Sequence, residues 1–252
     1  MQVSRPPGAG KVPQITALFW VLKVAATTLG ETGGDAVSMS LGWGYAWGCA
    51  FFGAMCLVAL VAQISAQAFN PWRYWFAIVA TTTVGTTLAD MVDRSLGLGY
   101  LGGSLSLLSL LVLTMVLWQR STGKISVERV ASPRAEIFYW TTIMLSQTLG
   151  TALGDWTSDD GGLGYFGSAM LFGGALALVA VLYAITSISR TALFWSAFVL
   201  TRPLGAAFGD FLDKPIDDGG LAVSRYTATA VLLVVMAACL TLFPQRAVRT
   251  HG

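Results

Sequence analysis

The sequence predicts an all-α fold, a polytopic membrane helix bundle of eight transmembrane helices built as four parallel two-helix repeats. Three observations carry that reading. The 252-residue chain is 55% hydrophobic and only 11% charged, with a mean hydropathy of +0.66. Soluble domains carry about 25% charged residues, so this chain lacks the polar surface that a water-facing body of its size needs. Long apolar runs at 50–62, 105–117, 169–185 and 228–243 each reach span length once flanking residues are added. One phrase also recurs four times: TLGETGGD from Thr28, TVGTTLAD from Thr83, TLGTALGD from Thr148 and PLGAAFGD from Pro203.

The repeat has a fixed register around an anchor glycine: Gly30, Gly85, Gly150 and Gly205. Ten residues before each stands a tryptophan (Trp20, Trp75, Trp140, Trp195), itself preceded by Phe19, Tyr74, Tyr139 or Phe194. Five residues after each stands Asp35, Asp90, Asp155 or Asp210, with a small residue just before it (Gly34, Ala89, Gly154, Gly209). Thr28, Thr83 and Thr148 lie two before the anchor, with Pro203 in the fourth copy. The first three copies then read GWGY, GLGY and GLGY, whereas the fourth delays its glycine and loses the tyrosine. Such periodicity marks a repeat architecture.

Each repeat supplies a helix ending near the aspartate, a Gly-rich turn, and a more uniformly apolar second helix. In chain order the spans are expected at 13–34, 45–67, 72–92, 99–119, 135–155, 164–187, 191–212 and 223–244. The repeats cover 13–67, 72–119, 135–187 and 191–244, as one membrane domain. The anchors are spaced by 55, 65 and 55 residues, and the wider gap holds the polar linker 119–135. A duplicated pair of repeats explains that spacing.

Lysine and arginine placement sets orientation. Arg5, Lys11, Arg73, Arg120, Lys124, Arg129, Arg134, Arg190, Arg246 and Arg249 flank the termini and even-numbered loops, against Arg94, Lys214 and Arg225 in the aspartate-bearing turns. Both termini are therefore expected in the cytoplasm and the turns outside. The basic residues form no cluster or stripe, so nucleic acid is not expected as a partner. The single histidine, His251, excludes His-ligated haem and zinc of the HExxH type. No cofactor is expected.

On a helical wheel the anchor glycine and the small residue after it form a small-xxx-small edge. The helix-packing set is thus Gly30, Gly34, Gly85, Ala89, Gly150, Gly154, Gly205 and Gly209. Beside it run the tryptophan, the threonine and the aspartate. Fifteen residues from Trp to Asp span about 22 Å of helix, which puts the aspartates just inside the outer boundary if the tryptophans occupy the inner aromatic belt. A carboxylate there costs on the order of 1–3 kcal/mol unless it meets water, a cation or a partner. The candidate cation-binding set is therefore Asp35, Asp90, Asp155, Asp210 and Glu31, with Thr28, Thr83 and Thr148 as auxiliary oxygens; such hard donors suit magnesium, calcium or manganese, and crowded carboxylates also suit protons. Which metal would bind is left open. The plain alternative is that the aspartates mark the membrane boundary or cap the second helix. Lys23 and Arg202 lie inside predicted spans and are expected to pair with a repeat aspartate or Glu31, or to snorkel to an interface.

These Trp and TLG-x-x-x-x-D phrases resemble a bacterial family of uncharacterised membrane-anchored proteins made of four tandem two-span repeats of unknown function. The resemblance implies the bacterial inner membrane and this architecture, and no activity. From the residues, the leading expectation is a transporter or exchanger of a divalent metal or protons. The alternatives are a non-transporting module that assembles with partner proteins, and a transporter of a small organic solute. An enzyme is not expected: the GxGD pattern of intramembrane aspartyl proteases needs glycine three before the Asp, where Thr32, Thr87, Ala152 and Ala207 stand. The lipid bilayer is the expected surrounding, and a homo-oligomer stays open.

Overall fold

A computed structural model describes residues 9–123, 125 and 132–249; Arg5, Lys124, Arg129, His251 and most of the linker's second half lie outside them. Eight long helices follow in order: α1 (Ala17–Asp35), α2 (Gly44–Ser65), α3 (Pro71–Asp90), α4 (Gly99–Thr122), α5 (Pro133–Ser158), α6 (Gly164–Ile185), α7 (Arg190–Asp213) and α8 (Arg225–Leu242). Local chemistry sets many of the ends. Thr16, Asn70, Ser132 and Ser189 cap α1, α3, α5 and α7 through side-chain oxygens, and Pro71 and Pro133 occupy the first turn. The GWGY and GLGY phrases start the second helices because both glycines adopt positive φ: Gly42 and Gly44, Gly97 and Gly99, Gly162 and Gly164. The fourth copy turns differently, through a short 3₁₀ turn at Ile216–Asp218 and Gly219 at φ 84°.

The odd-numbered helices form an inner ring in the order α1, α3, α5, α7 and back to α1. Each even-numbered helix packs outside, against the inner helix of the next repeat: α2 on α3, α4 on α5, α6 on α7 and α8 on α1. The apolar stretches of α3 and α7 are 72% and 67% buried, against 28, 28, 11 and 17% for α2, α4, α6 and α8. The outer helices accordingly turn Val58, Leu113, Leu178 and Val234 outward.

The ring closes through a single contact repeated four times. The residue three before each anchor lies over the anchor glycine of the preceding repeat: Thr82 over Gly30, Gln147 over Gly85, Arg202 over Gly150 and Thr27 over Gly205. One turn on, Thr86, Ala206 and Glu31 face Gly34, Gly154 and Gly209, while Ala89 packs with Leu149 and Ala152. The small-residue edges therefore join successive repeats in parallel and in register.

Several boundaries differ from expectation. Pro13 ends a strand instead of opening a helix: β1 (Ala9–Pro13) pairs antiparallel with β2 (Ala247–Arg249), and α1 starts only after the Thr16 cap. The hydropathy of the N-terminal segment gave no sign of that pairing, which needs the far end of the chain. Past Asp35 and Asp90 the chain continues as π-helical turns, Ala36–Ser40 and Met91–Ser95. The linker is shorter than 119–135 because α4 runs on to Thr122, where Gly123 at φ 77° ends it. Six helices, α2, α3, α4, α6, α7 and α8, are long and apolar enough to cross a membrane. The innermost α1 and α5 fall short of that measure, carrying Lys23, Glu31 and Asp35, and Glu136, Gln147 and Asp155 respectively.

The glycine contacts make a direct prediction. A Cβ on Gly205 would sit 2.9 Å from the Thr27 backbone, whereas one on Gly33 meets only Thr229 Cγ2 at 3.8 Å. Gly205→Ala should lower stability by about 2 kcal/mol through overpacking, and Gly33→Ala should be neutral or stabilising through helix propensity. Thermal unfolding of the purified variants reads both.

Candidate functional site

The inner ring stacks its polar side chains in levels, because equivalent repeat positions meet at equal height. At the end nearest the termini, eight aromatics close on themselves. Each repeat's first aromatic contacts the next repeat's tryptophan: Phe19 and Trp75 at 5.5 Å, Tyr74 and Trp140 at 5.9 Å, Tyr139 and Trp195 at 6.1 Å, Phe194 and Trp20 at 5.7 Å between centroids. The Tyr74 and Tyr139 hydroxyls are hydrogen bonded at 2.8 Å. Trp75, Trp140 and Trp195 are buried, so the tryptophan row is an interior plug instead of a lipid-facing belt. The terminal strands lie against this end. Trp75 donates to Gln245, and buried Lys11 pairs with Glu136 at 2.5 Å.

Above the aromatics, Lys23 is wholly buried. Among the described residues it does not pair with the carboxylate that its sequence position suggested; its Nζ donates to Gln147 Oε1 at 3.3 Å and lies 4.1 Å from the Phe198 ring centre. The repeat aspartates stand three turns higher and out of its reach. Arg202, also wholly buried, takes the Glu31 partnership. Its Nη2 meets Glu31 Oε2 at 2.7 Å and Thr86 Oγ1 at 2.5 Å, and also donates to Thr151 Oγ1. Glu31, Thr86 and Thr151 occupy one repeat position on three helices, and Ala206 fills the fourth. A single guanidinium thus ties α7 to α1, α3 and α5.

The four repeat aspartates sit above this level, all buried, and are tied in pairs. Lys214 Nζ bridges Asp35 at 3.4 Å and Asp210 at 3.1 Å. Arg94 bridges Asp90 at 3.3 Å and Asp155 at 3.6 Å. Arg225 adds contacts to Asp35 at 3.7 Å and Asp213 at 3.3 Å. Burial disfavours the Lys214 ammonium, but Asp210, Asp35 and Asp213 outweigh it and hold its pKa above the ordinary lysine value, so it stays charged. Glu31, Asp35 and Asp210 each offer a carboxylate oxygen within 4.8 Å of the others.

The structure therefore gathers Asp35, Asp90, Asp155, Asp210 and Glu31 around one axis but leaves the predicted threonines apart. The Thr28, Thr83 and Thr148 hydroxyls donate to carbonyls of their own helices, those of Val24, Val79 and Met144. They lie seven residues, about 10 Å, below the aspartates, so they are not auxiliary oxygens of that ring. The threonines that join the buried network are Thr27, Thr86 and Thr151. Sequence reasoning also missed the basic clips. Arg94 and Lys214 follow Asp90 and Asp210 by four residues, a helical ion-pair spacing that was available to find them.

These features define a class: an all-α bundle of four two-helix repeats, apolar outside and charged along its axis. A family model described as a Repeat of Unknown Function (DUF347) matches residues 18–69, 73–124, 138–189 and 193–244, and the chain belongs to that family. No curated protein and no solved structure matches the chain.

The Arg202 contacts predict strong coupling. Arg202→Met should cost about 3–5 kcal/mol by leaving Glu31 buried and unpaired, and adding Glu31→Gln should recover much of that loss. A double-mutant cycle by thermal or chemical unfolding checks it; independent effects would contradict the pairing.

Proposed function

We propose that the protein is a bacterial inner-membrane transporter or exchanger of a small cation, a divalent metal or protons, with eight spans and both termini cytoplasmic. The observation that carries this reading is the buried triad of Glu31, Asp35 and Asp210, with oxygens mutually within 4.8 Å beneath the turn end of the bundle. Among the described residues, the ion-paired network around it sets Glu31, Asp35, Asp90, Asp155, Asp210 and Asp213 against Arg94, Arg202, Lys214 and Arg225. The excess of two negative charges matches one divalent ion or two protons. Lys214 acts as an internal stand-in: its ammonium holds Asp35 and Asp210 together until an incoming cation displaces it.

The remaining features support the same reading. Six helices have the length and composition of spans, and α1 and α5 tolerate polar residues because neighbouring helices surround them. The β1–β2 pair brings Ala9 and Arg249 to one end, as an even number of crossings requires, and the described Arg73, Arg120, Arg134 and Arg190 flank the helix ends there. The glycine seams are already filled within the chain, which weighs against a partner-assembly module. The repeat aromatics pack on one another, and those that also border grooves, Trp20 and Phe194 beside α6 and Trp195 beside α4, sit at the end nearest the termini and not at mid-height, which weighs against an organic solute.

The test is calorimetric titration with manganese, magnesium, calcium and zinc, together with metal and proton flux in liposomes. Saturable binding or flux is expected, weakened about tenfold or more, some 1.4 kcal/mol, in Asp35→Asn, Asp210→Asn and Glu31→Gln. Exposed Asp217→Asn should leave it unchanged. Folded protein with neither metal binding nor flux of metal or protons would overturn the proposal.

A further inference from the structure

Below the carboxylates, the middle of the bundle presents the opposite problem: buried donors without acceptors. Lys23 is fully buried, and among the described residues no carboxylate lies within ion-pairing distance of it. Its ammonium carries three N–H donors, and the one acceptor it reaches is Gln147 Oε1. The amide nitrogen of that same Gln147, Nε2, has no partner, and neither has Arg202 Nε; both residues are wholly buried. Thr82 Oγ1 is likewise buried without a partner. Thr82, Gln147 and Arg202 occupy one repeat position, and Lys23 lies one turn below the fourth member, Thr27. The unmatched groups therefore fall within one turn of the ring, Lys23 Nζ reaching up to Gln147. The Arg202 charge is answered by the Glu31 carboxylate, but that of Lys23 meets only the Phe198 ring and the neutral Gln147 oxygen among the described residues.

We propose that this level binds a small monovalent anion, held by Lys23 Nζ, Gln147 Nε2 and Arg202 Nε. An acceptor-only ligand of one negative charge satisfies the three donors and neutralises the ammonium together. A buried charge without either compensation is expensive in a bundle interior, whereas a charged acceptor makes the strongest hydrogen bonds to such donors. The packing favours a single-atom ion over a branched oxyanion. A Cβ on Gly85 would lie 3.1 Å from Gln147 Cβ, and one on Gly30 would lie 2.9 Å from Thr82 Oγ1, so the helices already touch around the donors. Chloride is the natural occupant. It stands on different residues from the cation triad and does not depend on that reading.

The test uses full-length protein with chloride as the probe. Thermal midpoints are measured in sodium chloride and in sodium gluconate at equal ionic strength, alongside equilibrium binding of radiolabelled chloride. A saturable rise of the midpoint in chloride, reproduced by bromide, is expected, with one chloride bound per chain. Lys23→Met and Gln147→Leu should weaken that binding at least tenfold, and Lys23→Arg should retain most of it. Asp35→Asn, which disables the cation triad, should leave the chloride response intact, so the two proposals fail separately. Wild-type protein that binds no chloride and is indifferent to the anion would overturn the inference without any variant. A folded Lys23→Met protein with the full chloride response would overturn it too.

Discussion

The close crossing of successive inner helices is the constraint on which everything else rests. At four places a side chain lies directly over a glycine of the neighbouring helix; a Cβ would collide with it at Gly30, Gly150 and Gly205 and be tightly pressed, at 3.1 Å, at Gly85. Close approach gains dispersion contacts along the helices and permits levels of equivalent residues to form. The aromatic plug, the Arg202 level and the aspartate ring exist because those crossings share one register. The second helix of each repeat then covers the seam made by the next repeat, so no repeat is complete by itself.

Fourfold packing without fourfold chemistry is the second theme. The backbone treats the repeats as equivalent, but the level three before the anchor holds Thr27, Thr82, Gln147 and Arg202, and the level one after it holds Glu31, Thr86, Thr151 and Ala206. One guanidinium fills the centre, since four would repel one another at that spacing. The basic clips are asymmetric as well. Arg94 and Lys214 occupy the same repeat position in the second and fourth copies, and each joins two aspartates. The alternation matches the 55-, 65- and 55-residue spacing of the anchor glycines.

Charge is layered along the axis in consequence. Aromatic side chains close the end nearest the termini, a buried cation with surplus donors follows, and a carboxylate-rich level lies beneath the turns. The Arg202–Glu31 pair sits between the two regions and separates them.

Much of this was legible in the sequence. The repeated Trp, Gly and Asp positions determined the number of repeats, their parallel sense and the small-residue packing edges, because a helix fixes which positions share a face. The GxGY phrase marked the starts of three second helices, because paired positive-φ turns require glycine. Only the tertiary structure decided which side chains meet across helices. Arg202 and Glu31 are 171 residues apart, Lys23 and Gln147 are 124 apart, and Lys214 and Asp35 are 179 apart. No local pattern encodes such partners. The terminal strand pair, the inward turn of the tryptophans and the loss of Thr28, Thr83 and Thr148 to their own helices follow from how the ring closes. Periodicity determines a face, but the neighbour across that face is set by closure of the whole bundle.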